Sequence, residues 1–321
     1  MTPRIGLIGT GFMGRTHAAA WRELGHPVSV YSRNAERGAA FAAEHGATAV
    51  ADFAELLEQV DVVDICTPTD THAELTLAAA RAGRHVICEK PLARTPAQAQ
   101  EMIEVCRTNE VRLFPAHVLR FFPPYVFARE AVQAGRVGQL TKLSFGRVNA
   151  SPGPGTWFVD TARSGGVLVD LAIHDLDFAR WLAGEVVGVA GESDRNGDVV
   201  RATATLTHAS GVVSEVTGVW DVPGTDLTAR FEIVGEDGVL RFDSAKSQSV
   251  TDGSGEVLYT DDGSVDPYAA QLREFVDAIA GRVEPRVTPE DGLAALTIAL
   301  AGTTPSPDGS PIDPRSLRSG A

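Results

Sequence analysis

The chain has 321 residues, 44% hydrophobic and 22% charged, and a formal charge of −14. That length exceeds one typical domain, so two domains are expected in a soluble globular protein. The acidic surface repels nucleic-acid phosphates and anionic membranes, and no apolar run approaches the ~18 residues of a membrane span.

Strand and helix signals alternate through the first 120 residues. Residues 4–8 form a short apolar run that predicts a strand, and a helix follows to Leu24. Residues 28–31 predict a second strand, an alanine-rich helix runs to His45, and residues 47–50 are brief and apolar. A short helix is expected over 53–59, a β-branched strand over 60–66 and a helix over 71–82. Residues 85–88, 96–109 and 111–115 continue as strand, helix and strand. Strands separated by helices of this length indicate βαβ units and a parallel sheet.

The pattern changes after Phe122. A helix is expected over 125–134, an alternating strand over 140–149, a loop rich in proline and glycine over 151–156 and one helix over 165–182. Short strand candidates with turn signals fill 186–260 and predict an antiparallel sheet. Helices follow over 267–280 and 289–301, and the Pro/Gly/Ser-rich tail from Gly302 reads as an extended or loose end. Cys66, Cys88 and Cys106 are odd in number and lack CxxC spacing, so they read as buried hydrophobes in a reducing compartment. With the first strand beginning close to Met1, no signal peptide is expected, and the compartment is read as the cytoplasm.

Gly9-Thr10-Gly11-Phe12-Met13-Gly14 directly follows the first strand and opens the first helix. In that context the three glycines allow a tight turn, close approach of a pyrophosphate and helix–strand packing, and the helix N-terminus offers unpaired N–H groups. A dinucleotide site of this kind that prefers NAD carries an acid at the end of strand two, about 20 residues on. Here that place holds Ser32 and Arg33, which can bind a 2′-phosphate, so NADP(H) is favoured over NAD(H). The alternative is a solvated Arg33 and an enzyme that accepts both. Thr67, Pro68 and Thr69 end the strand of residues 60–66 and are expected to line the nicotinamide side; alternatively this turn only caps the next helix.

Lysine is scarce: Lys90, Lys142 and Lys246 are the only ones among 28 basic residues. Lys90 ends a core strand between Glu89 and Pro91. Arginine keeps its proton, whereas a lysine in a dry pocket is tunable, so the position suits a site that needs a compact ammonium. A lysine snorkelling outward to pair with Glu89 is the competing reading. In the second half, Asp170 and His174 stand at i and i+4 of the helix expected after Gly165-Gly166, on one face beside the apolar stripe. The carboxylate can orient the imidazole for acid–base work, or the pair is an ordinary helix-surface interaction. No His/Cys/carboxylate group has metal-ligand spacing, so no metal is required.

The segments GTGFMG, CTPTDTH, CEKPL and SGGVLVDLAIHDLD, in this order, resemble the glucose–fructose oxidoreductase / inositol dehydrogenase / MocA-like family over residues 3–300. The resemblance implies an α/β protein. Residues 1–121 would form a Rossmann domain with a doubly wound parallel sheet. Residues 122–321 would form a C-terminal α/β domain for substrate binding and oligomerisation, built on an open, mostly antiparallel sheet that commonly makes a homodimer or homotetramer. It implies NAD(P)-dependent hydride transfer on a secondary alcohol or ketone of a sugar or polyol. Lys90 matches the catalytic lysine and Asp170 and His174 the acid and histidine, while His117 and Arg120 resemble a stretch that shapes the substrate pocket. Arg147 and Trp157 are further candidates for substrate contact, and Glu89 and Lys90 for the cofactor side. Two other readings fit the same scaffold, an NAD-dependent glycosidase using transient oxidation and a non-catalytic dinucleotide sensor.

Overall fold

In the computed structural model, which describes residues 2–153, 155–306 and 308–318, the N-terminal alternation resolves into eleven regular elements. They are β1 (Ile5–Ile8), α1 (Phe12–Glu23), β2 (Val28–Tyr31), α2 (Ala35–His45), β3 (Thr48–Val50), α3 (Phe53–Gln59), β4 (Val62–Ile65), α4 (His72–Arg81), β5 (His85–Glu89), α5 (Pro96–Thr108) and β6 (Leu113–Ala116). The strands pair in the order β3-β2-β1-β4-β5-β6, every pair parallel. β1, β4 and β6 are buried along their whole length, as expected of a parallel sheet covered on both faces. The chain leaves β1 toward β2 and returns on its other side at β4, and such a reversal leaves a crevice beyond the carboxyl ends of β1 and β4.

The later elements are α6 (Pro123–Gln133), β7 (Leu140–Ala150), α7 (Thr161–Ser164), α8 (Gly166–Asp170), α9 (Ile173–Ala183), β8 (Val186–Asn196), β9 (Val199–His208), β10 (Val213–Asp221), β11 (Thr228–Gly235), β12 (Val239–Asp243), β13 (Ser249–Asp252), β14 (Val257–Thr260), α10 (Pro267–Ile279) and α11 (Pro289–Thr303). The eight strands order as β14-β13-β12-β11-β7-β10-β9-β8. Only β7 and β10 run parallel; the other pairs are antiparallel. An aromatic core seats α6 and α9 on this sheet, with Tyr125 edge-on to Phe178 at 4.9 Å and to Phe231 at 5.2 Å.

Two compact units result, Met1–Phe121 with Val265–Leu293, and Phe122–Ser264 with Ala294–Ala321. The expected boundary assigned everything after Phe121 to the second domain, but residues 265–293 return to the first. The amphipathic face of α10 explains this. Leu272, Phe275 and Val276 join Ile5, Trp21, Ile87 and Phe114 in one core, and Phe275 stacks on Phe114 at 4.7 Å. Asp266 caps the helix by accepting from Tyr268 N at 2.8 Å.

The tail after Gly302, expected as an extended or loose end, is tied down at Ile312. Ile312 and Val189 exchange backbone hydrogen bonds of 2.8 Å in both directions. β8 is an edge strand, and this bridge covers part of its unpaired edge. Pro154 of the proline-rich loop, Pro307 and residues 319–321 lie outside the described residues. Cys66, Cys88 and Cys106 are free and buried. Among the described residues no helix is long and apolar enough to cross a membrane.

Candidate active site

The first unit gathers most of the candidate residues at the carboxyl ends of β1, β4 and β5, three neighbouring strands. Gly9 takes φ +109°, and a Cβ there would collide with the Cys66 carbonyl. A Cβ on Gly14 would collide with the Gly9 carbonyl, so this glycine lets α1 pack against the loop. Gly11 is different. A side chain there would meet nothing within 4 Å among the described residues. The folded chain itself does not demand glycine at 11, and its absent side chain leaves the backbone open to an approaching group. Gly11 is also the N-cap of α1 with no side-chain cap, leaving the first N–H groups of the helix for an anion. Phe12 is 79% exposed at the same tip, while Met13 packs inward on Leu7, Val30 and Phe41. A dinucleotide pyrophosphate fits this cradle.

Ser32 and Arg33 sit where β2 ends; Arg33 is exposed and Ser32 half-buried. Asn34 caps α2 by accepting from Arg37 N at 2.9 Å, which fixes the turn. After β4, Thr67 and Pro68 remain partly accessible, whereas Thr69 is enclosed at 2% exposure, so of the two threonines expected on the nicotinamide side only Thr67 is accessible. His72 holds this turn against the next one. Its Nδ1 faces the Pro91 carbonyl and its Nε2 the Thr67 carbonyl, each at 2.9 Å.

Lys90 follows the last residue of β5 and is half-buried; the Lys90–Pro91 peptide is cis. The Glu89 carboxylate turns inward. Its Oε2 accepts the backbone N–H of Lys90 at 3.1 Å, and its Oε1 lies 3.2 Å from His17 Nε2. The other side of the His17 ring donates from Nδ1 to the Asp64 carboxylate at 2.9 Å, and Trp21 Nε1 donates to the same oxygen at 2.7 Å. Cys66 Sγ stands 3.4 Å from His17 Nδ1. His17, Trp21 and Asp64 are wholly buried. Burial alone would lower the His17 pKa, but Asp64, together with Cys66, more than offsets it and holds the ring well above its ordinary range. The same burial, with Asp64 adding to it, pushes the Cys66 thiol far up. His17, Asp64 and Cys66 are of metal-ligating type and lie within 4.8 Å of one another. Their chemistry is that of a protonated network, with an indole N–H aimed at the carboxylate and a thiol held protonated.

His17, Trp21 and Asp64 were not singled out from the sequence. The available signal was Asp64 itself, an acid inside the apolar strand Val62–Ile65. Arg120 requires a correction. Its side chain is 1% exposed, and its Nη1 donates to the Arg286 carbonyl at 2.6 Å and to Asp291 Oδ2 at 3.0 Å. It clamps the exit of β6 to the start of α11 within the first unit and is not available as a substrate contact. His117, beside it, is also fully buried.

In the second unit the expected continuous helix over 165–182 is broken. Gly165 and Gly166, at φ +83° and +78°, turn the chain from α7 into α8. α8 ends at Asp170, and α9 starts at Ile173. Both Leu171 N and Ala172 N donate to Val167 O at 2.9 Å, and Ala172 O then accepts from Asp175 N and Leu176 N at 3.0 Å to begin a new helix. Residues 167–173 are all buried. The break falls in a stretch that is buried on every side. Asp170 and His174 therefore belong to two successive helices, and the i,i+4 argument for a shared face does not apply. Asp170 is buried and His174 half-buried. Arg147 is likewise corrected from a substrate contact: it forms a two-pronged buried pair with Asp175, Nε to Oδ2 at 2.8 Å and Nη2 to Oδ1 at 3.0 Å. Trp157 is half-buried and stacks on Phe158 at 4.1 Å in the segment before α7.

Residues 3–117 match an oxidoreductase family with an NAD-binding Rossmann fold, and residues 125–241 match the GFO/IDH/MocA C-terminal domain. Myo-inositol 2-dehydrogenase of Thermotoga maritima is 32% identical over 325 aligned positions, covering 93% of this chain and 94% of the relative. A 1,5-anhydro-D-fructose reductase of Ensifer adhaerens is 32% identical, with 93% and 94% covered. A levoglucosan dehydrogenase solved with NADH and L-sorbose superposes at TM-score 0.87 over 98% of this chain and 99% of its own, at 24% identity, a likeness of fold.

Proposed function

The chain belongs to the Gfo/Idh/MocA oxidoreductase family and is a hydride-transferring enzyme acting on CH–OH groups, and we propose that its substrate is a sugar or cyclic polyol and that it prefers NADP(H) to NAD(H). The observation that carries this is the open space at Gly11 on the β1–β4 switch point, with Lys90 leaving the adjoining strand. Gly9, Gly11, Gly14, the backbone of Phe12 and Met13, Thr67 and Pro68 would hold the dinucleotide, and Ser32 with Arg33 its 2′-phosphate. When bound, the nicotinamide supplies the carbon that accepts or returns the hydride.

The protein's own contribution is charge and proton handling. The Lys90 ammonium donates to the reacting oxygen and stabilises the negative charge that develops there as the hydroxyl proton leaves in oxidation, or as the hydride arrives in reduction. His174 takes the hydroxyl proton in oxidation and returns it in reduction, a contribution of roughly 10²- to 10⁴-fold. Asp170 assists substrate binding and proton transfer. A homodimer or homotetramer through the eight-stranded sheet belongs to the same reading.

The test is an absorbance screen of polyols and aldoses with NADP⁺ and NAD⁺ in parallel. Nucleotide reduction with at least one of them, faster with NADP⁺, is expected. Dinucleotide binding without turnover across the panel would overturn the reading in favour of a sensor, and release of phenol from nitrophenyl glycosides in favour of a glycosidase.

A further inference from the structure

The buried network behind Lys90 is not the arrangement that apolar packing alone favours. Ionisable groups inside a parallel core are costly to desolvate, and well-packed apolar residues in their place are often as stable or more so. Yet β4 places an acid at Asp64, α1 an imidazole at His17 and β5 a second acid at Glu89, all in one unit. The two ring nitrogens face two different carboxyl groups. A neutral imidazole has one N–H and would turn a lone pair toward one of them, so with both carboxyl groups ionised the ring bridges them only as the imidazolium. The contact to Glu89 has no well-aligned hydrogen bond, so what holds it is the charge of the protonated ring.

We propose that His17 is a positioning residue for Lys90: by bridging Asp64 and Glu89 it fixes the carboxylate that anchors the Lys90 backbone. This rests on the assignment of Lys90 to catalysis. His17 lies one turn beyond Gly14 on α1, so one helix both offers its N-terminus to the dinucleotide and braces the strand that delivers the lysine. Loss of the imidazolium leaves Glu89 without its buried partner, and the carboxylate is free to shift out of place. That shift loosens the anchor on Lys90 N. The groups that face the ring are Asp64 and Cys66 at the end of β4, Trp21 on α1, Glu89 on β5 and Tyr268 on α10, whose ring centre is 6.3 Å away.

The experiment compares His17→Gln, Glu89→Gln, Lys90→Ala and the double variant His17→Gln/Lys90→Ala, using whichever polyol or aldose of the panel turns over fastest. His17→Gln is expected to lower kcat by about 10²-fold, the scale of a small misplacement of a reacting group, with dinucleotide affinity by fluorescence titration unchanged. In the Lys90→Ala background it should cost nothing further, because its effect runs through the lysine. An unchanged kcat, or the same loss in both backgrounds, would overturn the inference. Full activity in Lys90→Ala would instead overturn the assignment of the lysine. ¹⁵N-histidine spectra of the unaltered protein give an arm that needs no variant to fold: both nitrogens of His17 should carry protons at neutral pH, and a neutral ring with one proton removes the bridge.

Discussion

Each unit grips, from behind, an acid that is the sequence neighbour of a proposed catalytic residue. In the first unit His17 reaches Glu89, beside Lys90; in the second Arg147 reaches Asp175, beside His174. The solutions differ in geometry and in chemistry. Arg147 and Asp175 make a one-to-one fork of two hydrogen bonds, both residues buried, and the guanidinium keeps its proton throughout the working pH range. His17 is shared between two carboxyl groups, and imidazole is the one base whose charge is within reach of moderate pH. The second anchor is rigid and indifferent to pH; the first is conditional.

Removing the anchored residues breaks the comparison most severely. His174→Ala is expected to lower kcat by about 10²- to 10⁴-fold, since it deletes the proton acceptor. Its half-buried position should leave the melting temperature near that of the parent protein. Steady-state rates with unchanged dinucleotide affinity check this, and retention of full turnover removes His174 from the chemistry. Next comes the second anchor itself. Arg147→Ala strands the Asp175 carboxylate in the core and should cost about 3–5 kcal/mol in urea unfolding. A loss below about 1 kcal/mol, the range of an exposed pair, would show that the fork is not a buried ion pair in solution.

The parallel sheet was legible because its strands are short apolar runs between helices, and the glycine fingerprint because its meaning is local. Lys90 stood out through the scarcity of lysine. What escaped was non-local. Asp64 and His17 are 47 positions apart, and nothing near either announces the other. The amphipathic face of α10 was readable, but a stripe of Leu272, Phe275 and Val276 does not say which of two sheets it covers. The break at Leu171–Ala172 carries no glycine or proline; it falls where the chain is buried on every side, which depends on the neighbours. Arg120 was placed in the pocket by the resemblance of its stretch, and Arg147 was a candidate too; a sequence shows a charge without its partner, so neither buried pairing was visible.

The conditional character of the first anchor gives a smaller, pH-dependent effect. The folded-state pKa of His17 lies well above its unfolded value near 6.5. The folded protein therefore binds this proton more tightly than the unfolded chain. The resulting stability is fully present below about pH 6.5 and is lost as pH rises through the folded value. The melting temperature should decline toward alkaline pH, and His17→Gln should flatten that decline. Parallel slopes for the two proteins would mean that the ring is neutral when folded. Arg147 adds no slope in this window, so an Arg147→Lys variant should keep the parent's pH profile even if its stability is lower.

The smallest effect tests the cofactor choice, on a side chain with no buried anchor. Arg33 is exposed at the end of β2, next to a turn whose geometry Asn34 and Arg37 set without it. Arg33→Ala should therefore leave folding unchanged. If the guanidinium pairs with a 2′-phosphate, the variant loses one charge-assisted contact that NAD⁺ cannot make. KM for NADP⁺ should rise by about 10-fold, in line with a single solvent-facing ionic hydrogen bond, while KM for NAD⁺ stays put. The penalty should also shrink as salt is added, because a contact at the surface is screened over a Debye length of about 10 Å at 0.1 M. An equal change for both nucleotides would point to stacking on the adenine, which they share. No change for either would leave Arg33 as a solvated side chain, and the preference would then have to reside in Ser32.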